Sequence, residues 1–142
     1  MRRIFGLQGL ALAAMLVAQA TYARADMMTA CSSEVARYCA NVSEGRGRVS
    51  ACLASYMGQL GAACRPEVQA VGKSRLTPSY VRKVFNPAFR LALPQVCTGP
   101  AAQYCPGMTP GEGRVFACLY AYSDRVGKTC SDAAQVALKQ VQ

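Results

Sequence analysis

Apolar residues recur at helical spacing in two stretches of the chain that follow one pattern. The first stretch consists of Val49, Cys52, Leu53, Tyr56 and Leu60. The second, 66 residues later, consists of Val115, Cys118, Leu119, Tyr122 and Val126. Both follow the i, i+3, i+4, i+7, i+11 pattern that marks the buried face of an amphipathic helix. The pattern therefore predicts one helix that is present in two copies.

The cysteines show the same period. The chain has eight, in two quartets with internal spacings of 8, 13 and 12 residues: Cys31, Cys39, Cys52, Cys64 and Cys97, Cys105, Cys118, Cys130. Between the segments 31–64 and 97–130, 14 of 34 aligned positions are identical. A fixed period of this kind defines the structural unit, so the chain is predicted to contain two copies of one cysteine-rich repeat.

Each copy is predicted to form two helices. A shorter helix is predicted before the helix with the apolar stripe described above, because Cys31, Val35 and Cys39 share one helical face. In the second copy, Thr109 followed by proline and then Glu112 resembles a capping box at a helix start. In the first copy Ser43 is the predicted N-cap. Each repeat would then be an antiparallel helical hairpin.

Such a small helical pair needs covalent support, because chains below about 40 residues seldom fold without disulfides or metals. Four cysteines allow three pairings, and the sequence alone leaves all three open. A hairpin favours the nested one, which joins the outer and the inner cysteines of each quartet: Cys31–Cys64 with Cys39–Cys52, and Cys97–Cys130 with Cys105–Cys118. An outer loop of this length would stabilise the fold by about 3–4 kcal/mol.

The chain begins with the pattern of a secretory signal peptide. Arg2 and Arg3 precede an apolar stretch, and Ala23-Arg24-Ala25 suits cleavage before Asp26. An even number of cysteines behind such a segment indicates an oxidising compartment. We expect a periplasmic or secreted protein without a membrane anchor after cleavage. The predicted organisation is a signal peptide (1–25), a first repeat (26–64), a basic helical connector (65–96), a second repeat (97–130) and a C-terminal helical tail (131–142).

The glycine turns and cysteines carry a resemblance to a known family. The runs Ser43–Leu53 and Thr109–Leu119 share a G-x-G-R-V turn followed by Cys-Leu. Together with the cysteine spacing, they resemble the cysteine-rich repeat of the cysteine-rich fibroblast growth factor receptor, a Golgi sialoglycoprotein. The animal proteins of this kind carry many repeats and a membrane anchor, and they bind growth factors and selectins. The resemblance implies an architecture for this chain, of a small bacterial type with two repeats, and it implies no ligand.

Positive charge is concentrated in the connector. Residues 65–96 hold six basic side chains against one acid, and the chain from residue 26 onward carries a net charge of +6. These cations form either a patch for an anionic partner or the solvated face of a helix that packs Phe85 and Phe89 onto the repeats. The second interpretation is favoured. The candidate interaction residues are Arg82, Lys83, Arg90 and the repeated pair Arg48 and Arg114, which either clamp their turns or contact an acidic ligand.

Several kinds of chemistry are disfavoured by the residue types present. The chain has no histidine, which removes the commonest general base and zinc ligand. Its acids show no spacing suited to acid/base catalysis, and its cysteines form no C-x-x-C motif for metal or redox chemistry. No catalytic residue, metal site or cofactor is therefore expected, and nucleic acid is not expected as a partner.

The sequence thus predicts an all-α fold of five to seven short helices, in which two disulfide-stapled helical hairpins are joined by a basic helical connector. The function we expect is a non-enzymatic binding, interaction or structural module of the cell envelope. Its partner, a protein or an anionic envelope component, is not identified by the sequence. The alternative is a redox-active or metal-handling envelope protein that uses the cysteines.

Overall fold

The computed structural model describes residues 27–75, 77–86, 88–109 and 112–141. The predicted signal peptide lies outside these residues. The α-helices are α1 Met27–Ala30, α2 Ser32–Tyr38, α3 Arg48–Ser55, α4 Cys64–Lys73, α5 Ser79–Arg82, α6 Thr98–Tyr104, α7 Gly113–Ala121 and α8 Lys128–Gln140. Three 3₁₀ helices cover Met57–Gln59, Lys83–Phe85 and Gln95–Cys97. Within the described ranges the sole β pairing is an isolated bridge between Arg90 and Glu112.

The all-α, disulfide-stapled fold predicted from the sequence is confirmed. The described part of the chain contains eight α-helices, more than the expected five to seven, because the connector is broken into short pieces and α1 precedes the first quartet. The cysteines pair in the nested order, as four disulfides: Cys31–Cys64, Cys39–Cys52, Cys97–Cys130 and Cys105–Cys118.

Each repeat uses three helices where the sequence predicted two. The striped helix α3 ends at Ser55, and Cys64 is the first residue of the separate helix α4. Leu60, the last residue of the predicted stripe, is buried but lies beyond the 3₁₀ turn that follows α3. The second repeat is built alike, with a break at Gly127, whose φ of 83° does not fit a right-handed helix. The inner disulfide therefore joins the first two helices, and the outer disulfide ties in the third.

The striped helices also begin later than the cap residues predicted. In the first repeat Gly45, Arg46 and Gly47 have φ values of 88°, 54° and 72°, which delay the helix until Arg48. In the second repeat Glu112 is extended and bridges to Arg90, so α7 begins at Gly113 and not next to Thr109. Pro110, the predicted first helical residue, lies outside the described residues. The prediction of Ser43 and Thr109 as N-caps was wrong.

Helices α3 and α7, one from each repeat, pack against each other at the centre of the molecule. The core around them is continuous, and its largest buried side chains are Phe116, Leu53 and Leu119. The connector contributes Val68, Val81 and Val84 to the same core, so the repeats and the connector fold together.

The ends of the repeats run into the segments that follow them. Helix α4 carries the chain from Cys64 into the connector, and α8 begins before Cys130 and continues through the tail. The tail is therefore the greater part of α8 and not a helix of its own. Since α8 crosses the predicted boundary at residue 130, the outer disulfide of the second repeat anchors the tail directly.

The connector packs its aromatic side chains inward, as the favoured interpretation required. Phe85 approaches so close to Gly72 that a Cβ there would lie 2.7 Å from the Phe85 Cβ. Phe89 meets Phe116 edge to face, with ring centroids 6.5 Å apart. Ala88 and Ala92, farther along the connector, lie outside any helix and are exposed.

Candidate functional site

A groove of about 410 Å³ opens between α5, α7 and α8, beside the glycine turn of the first repeat. We name it the inter-repeat groove and define it by six of its lining residues: Arg46, Tyr80, Phe116, Leu119, Tyr120 and Leu138. A second hollow of about 300 Å³ adjoins it and shares Arg46, Pro78 and Tyr120 with it. The combined volume is within the range of sites that hold small organic ligands.

The glycine turn presents Arg46 at the rim of the groove. Arg46 has a left-handed backbone with φ 54°, a conformation that costs a side-chain-bearing residue about 1–2 kcal/mol. The hydroxyl of Tyr120 donates a 2.8 Å hydrogen bond to the Arg46 carbonyl and so holds the turn against α7. The guanidinium is exposed and forms no ion pair with any residue in the described ranges.

A chain of hydrogen bonds leads from α8 to Tyr80 on the opposite wall. The Lys139 ammonium donates to the Gln135 side-chain oxygen at 3.3 Å, and the Gln135 side-chain nitrogen donates to the Tyr80 hydroxyl at 3.0 Å. The Lys139 ammonium also lies 5.4 Å from the centre of the Tyr80 ring. Because the Tyr80 oxygen accepts a bond from Gln135, its own O–H remains available as a donor.

The Tyr120 hydroxyl is held in its neutral form. Burial raises the pKa of Tyr120 above that of a free tyrosine, and the neighbouring Tyr80 raises it further, while Arg46 and Arg48 oppose both effects. The hydroxyl is therefore protonated and able to donate to the Arg46 carbonyl throughout the neutral range.

The repeated arginines have different partners in the two copies. Arg48 donates to the Ser43 carbonyl at 2.9 Å and to the Glu44 carbonyl at 2.5 Å, so it clamps its own turn. Its guanidinium also lies 3.7 Å from the Asp124 carboxylate of the second repeat. Arg114 pairs at 2.6 Å with the Glu112 carboxylate. Both arginines thus have structural partners, and neither lines the groove.

The connector cations are spread over different surroundings. The Lys83 ammonium donates to the Leu138 carbonyl in the last turn of α8, where a cation also interacts well with the helix dipole. Arg90 donates to the Phe89 carbonyl, and Arg82 is exposed. Lys83 is thus bonded to a residue that lines the groove.

Two tyrosine pairs repeat with the cysteines. Tyr38 stacks on Tyr56 with ring centroids 4.7 Å apart, and Tyr104 stacks on Tyr122 at 5.4 Å. Burial raises the pKa of Tyr56, and the neighbouring Tyr122 and Tyr38 raise it further. Each stack joins the first two helices of its repeat beside the inner disulfide, which gives these tyrosines a structural role.

Comparison with known proteins assigns the first repeat. Residues 23–61 match the family model described as a cysteine rich repeat, the repeat of the cysteine-rich fibroblast growth factor receptor. This segment of the chain is similar to the cysteine rich repeat of that family. The match includes Cys31, Cys39 and Cys52 and ends before Cys64. The second cysteine rich repeat is related to the first through the 66-residue period. No curated protein and no solved structure matches the chain.

Three of the residues that define the groove stand at positions where the two cysteine rich repeats differ. Tyr120 stands where the first repeat has Ala54, and Phe116 stands where it has Ser50. Arg46 occupies the position that Glu112 takes in the second repeat. A pair of identical repeats would carry matching surfaces, so these differences confine this groove to one side of the repeat pair.

Sequence reasoning identified the scaffold and missed the groove. None of Arg46, Tyr80 and Tyr120 was predicted as a site residue. The available signal was the departure from the repeat, namely a large aromatic residue in one copy against a small residue in the other. The repeat pattern itself points to the positions that the copies share and not to those where they differ.

The cysteine rich repeats hold their sulfur atoms in the interior. All eight cysteines are paired and buried, which indicates an oxidising compartment outside the cytoplasm. The described ranges contain no cluster of three or more cysteine, aspartate or glutamate side chains placed to hold a metal ion. In the same part of the chain, no helix has both the length and the apolar character needed to cross a bilayer.

Proposed function

We propose that this protein is an exported, non-enzymatic binding module of the cell envelope, and that the inter-repeat groove is its binding surface. The observation that carries the proposal is the groove itself, which includes three residues, Arg46, Phe116 and Tyr120, at positions where the two cysteine rich repeats differ. Structural demands common to both repeats fix the shared residues. Tyr120 and Phe116 replace Ala54 and Ser50 of the first repeat, so they are not among the residues that the shared scaffold requires.

Rigidity of the walls supports a binding role. The Cys97–Cys130 disulfide fixes α8 near its start. On the other side, the Lys83 bond to the Leu138 carbonyl joins the connector to the end of α8. A pre-formed surface loses little conformational entropy when a ligand docks, so more of the contact energy appears as affinity.

Export is supported by the sequence before residue 27 and by the disulfides. The basic start, the apolar stretch and the A-x-A pattern favour cleavage before Asp26. Disulfides persist in the periplasm and in secreted proteins. We therefore propose a periplasmic or secreted location, in which a protein or an anionic envelope component is the expected partner and nucleic acid is not.

A non-enzymatic role is supported by the way the acids are used. The Glu34 carboxylate accepts a bond from the Gly61 amide, Asp124 accepts one from Ser43, and Glu112 pairs with Arg114. Each of these carboxylates is occupied by a structural contact. With no histidine in the chain, the candidates for a general base are few.

The repeat supplies a matched pair of variants to test the groove. Gln135 on α8 and Gln69 on α4 are equivalent positions, and both side chains are exposed. Gln135→Trp places a bulky ring at the groove, whereas Gln69→Trp places the same ring on the first repeat. The wild-type protein and both variants, each in the oxidised form and starting at Asp26, are immobilised and exposed to an extract of the compartment in which the protein resides. Retained components are quantified by mass spectrometry.

The expected result is at least one component that the wild type and Gln69→Trp retain and that Gln135→Trp does not. Equal retention by all three proteins would show that the groove is not the binding surface. Retention of nothing by the wild type, with circular dichroism confirming its fold, would contradict the binding function.

A further inference from the structure

Two polar groups at the inter-repeat groove, the Arg46 guanidinium and the Tyr80 hydroxyl, offer hydrogen-bond donors. The Arg46 guanidinium supplies several N–H groups and has no acidic partner among the described residues. The Tyr80 hydroxyl receives a bond from Gln135 and keeps its own O–H to donate. No aspartate or glutamate occurs among the described residues that line the groove. A ligand must therefore bring acceptors, and a negative charge is favoured.

Two side chains of α8 strengthen the preference for an anionic ligand, although neither needs to contact it. The Gln135 amide takes a bond from the Lys139 ammonium on one side and gives one to Tyr80 on the other. Each bond polarises the next along such a chain, so the Tyr80 O–H is a better donor than that of an isolated tyrosine. Lys139 over the Tyr80 ring acts in the same direction.

The floor of the groove is apolar. Phe116, Leu119 and Leu138 are almost completely buried beneath it, and the half-buried rings of Tyr80 and Tyr120 together with Pro78 form its accessible apolar surface. An inorganic anion would leave this floor uncovered, and a hydrocarbon would leave Arg46 and Tyr80 without an acceptor. A ligand that satisfies both has one anionic end and one apolar body, at a size suited to about 410 Å³.

We infer that the inter-repeat groove binds a small amphipathic carboxylate, with its carboxylate between Arg46 and Tyr80 and its apolar body against the accessible faces of the Tyr80 and Tyr120 rings. This inference rests on the proposed function, since it names the ligand class of the same groove. An Arg guanidinium matches a carboxylate in two parallel hydrogen bonds, and Tyr80 supplies a further donor.

The test compares three probes on the ¹⁵N-labelled oxidised protein: 3-phenylpropanoate, its neutral amide 3-phenylpropanamide, and acetate. For 3-phenylpropanoate we expect a dissociation constant on the order of a millimolar, given its few atoms. Its shift perturbations should centre on the amides of Leu119, Tyr120 and Gln135. The amide and acetate should each bind at least tenfold more weakly, since each lacks one of the two features.

Variants locate the carboxylate. Arg46→Gln should weaken 3-phenylpropanoate at least tenfold, and Tyr80→Phe about three- to tenfold, because hydrogen bonds to charged groups are the stronger ones. The control is Arg37→Gln, which removes the same charge from α2 outside the groove and should leave the affinity unchanged. Arg46 lies on an exposed turn, so its replacement is not expected to impair folding.

Three outcomes would overturn the inference. Equal affinity for the acid and its amide would show that the groove does not recognise the carboxylate, although it would still be a binding surface. An unchanged affinity in Arg46→Gln would place the anion elsewhere. No perturbation by any probe at tens of millimolar would exclude this ligand class. The retention experiment with Gln135→Trp and Gln69→Trp tests the proposed binding function independently of the ligand class.

Discussion

The Tyr120 hydroxyl and the Arg46 carbonyl, 74 residues apart in the chain, are joined by a 2.8 Å hydrogen bond. Tyr120 belongs to the central helix of the second repeat, and Arg46 is the middle residue of the left-handed turn of the first. The bond therefore stabilises a strained turn and fixes the relative position of the two repeats. It also holds one wall of the inter-repeat groove.

Removal of this hydroxyl should cost stability. We expect Tyr120→Phe to lower the free energy of unfolding by about 1 kcal/mol, the usual net contribution of one intramolecular hydrogen bond. Urea unfolding of the oxidised protein measures it as a lower midpoint with an unchanged slope. The control is Tyr104→Phe, since the Tyr104 ring stacks on Tyr122 and its hydroxyl is bonded to no other residue in the described ranges. A loss in Tyr120→Phe no larger than in the control would contradict the role of the bond.

Low pH should weaken a second contact between the repeats, the hydrogen bond between Ser43 and Asp124. The Ser43 hydroxyl donates to the Asp124 carboxylate at 2.5 Å; this bond, more than any other contact, lowers the pKa of Asp124, and Arg48 adds to the effect. A carboxyl group whose pKa is lower in the folded than in the unfolded state stabilises the fold when ionised. Its contribution is complete above the ordinary aspartate pKa and is lost as the pH falls through the lowered value.

The corresponding measurement is urea unfolding at a series of pH values from 7 to 2. The wild type should lose stability toward low pH, and Asp124→Asn should lose less, because the substituted side chain does not titrate. Ser43→Ala removes the donor from the other side of the bond and should flatten the profile in the same way. The Glu34 pKa is also lowered, through Ser33 and the Gly61 amide, so a residual slope should remain in both variants. A profile identical to wild type in both would rule out this link.

Two glycines should respond in opposite ways to an added methyl group. At Gly72 a Cβ would lie 2.7 Å from the Phe85 Cβ, so the added methyl group of Gly72→Ala must displace Phe85 from α4. We expect it to cost about 1–3 kcal/mol, as overpacking usually does. Gly58 has open space and an ordinary backbone, so Gly58→Ala should be neutral or stabilise by up to about 1 kcal/mol. Thermal unfolding of the two variants checks the contrast, and equal effects would mean that Phe85 is not packed on Gly72.

A non-reducing peptide map should recover four disulfides within the quartets. After alkylation under denaturing conditions, mass spectrometry should find the pairs Cys31–Cys64, Cys39–Cys52, Cys97–Cys130 and Cys105–Cys118, and no alkylated thiol. The protein must be isolated from its own compartment for this measurement. Free thiols, mixed disulfides or bridges between quartets would instead favour the alternative of redox or metal chemistry.

The exported form should begin at Asp26. Intact-mass measurement of the natural protein is expected to give the mass of residues 26–142 less eight hydrogens for the four disulfides. A mass that includes the apolar segment before Ala23 would show that the segment is retained and would contradict the predicted cleavage.

The scaffold could be predicted from the sequence because it follows from local rules applied twice. Cysteine spacing, the apolar stripe and the repeat predicted the helical class and favoured the nested pairing, which the structure confirms. The stripe also identified Leu60 and Val126 as buried residues. The helices α3 and α7 were nevertheless predicted too long. Leu60 and Val126 lie beyond the turns that end them, but their sequence spacing is the same as that of buried residues on a longer helix.

The rest depends on contacts between distant segments. Ser43 looked like a helix cap, but its hydroxyl is bonded to Asp124, 81 residues away. The late start of α7 depends on the pairing of Glu112 with Arg90. The groove likewise requires α5 to lie beside α8, where Tyr80 meets Gln135. No local pattern specifies such juxtapositions, since each arises from how the connector folds back over both repeats.

The nested disulfides make the first repeat resistant to separation after proteolysis. Arg46 lies exposed in the glycine turn, between Cys39 and Cys52, and both disulfides of the repeat span this point. A trypsin-like enzyme that cleaved after Arg46 would produce a nicked chain whose two pieces stay covalently joined. On an electrophoresis gel the nick would become visible as two fragments after reduction, while the unreduced sample would keep the mass of the intact protein.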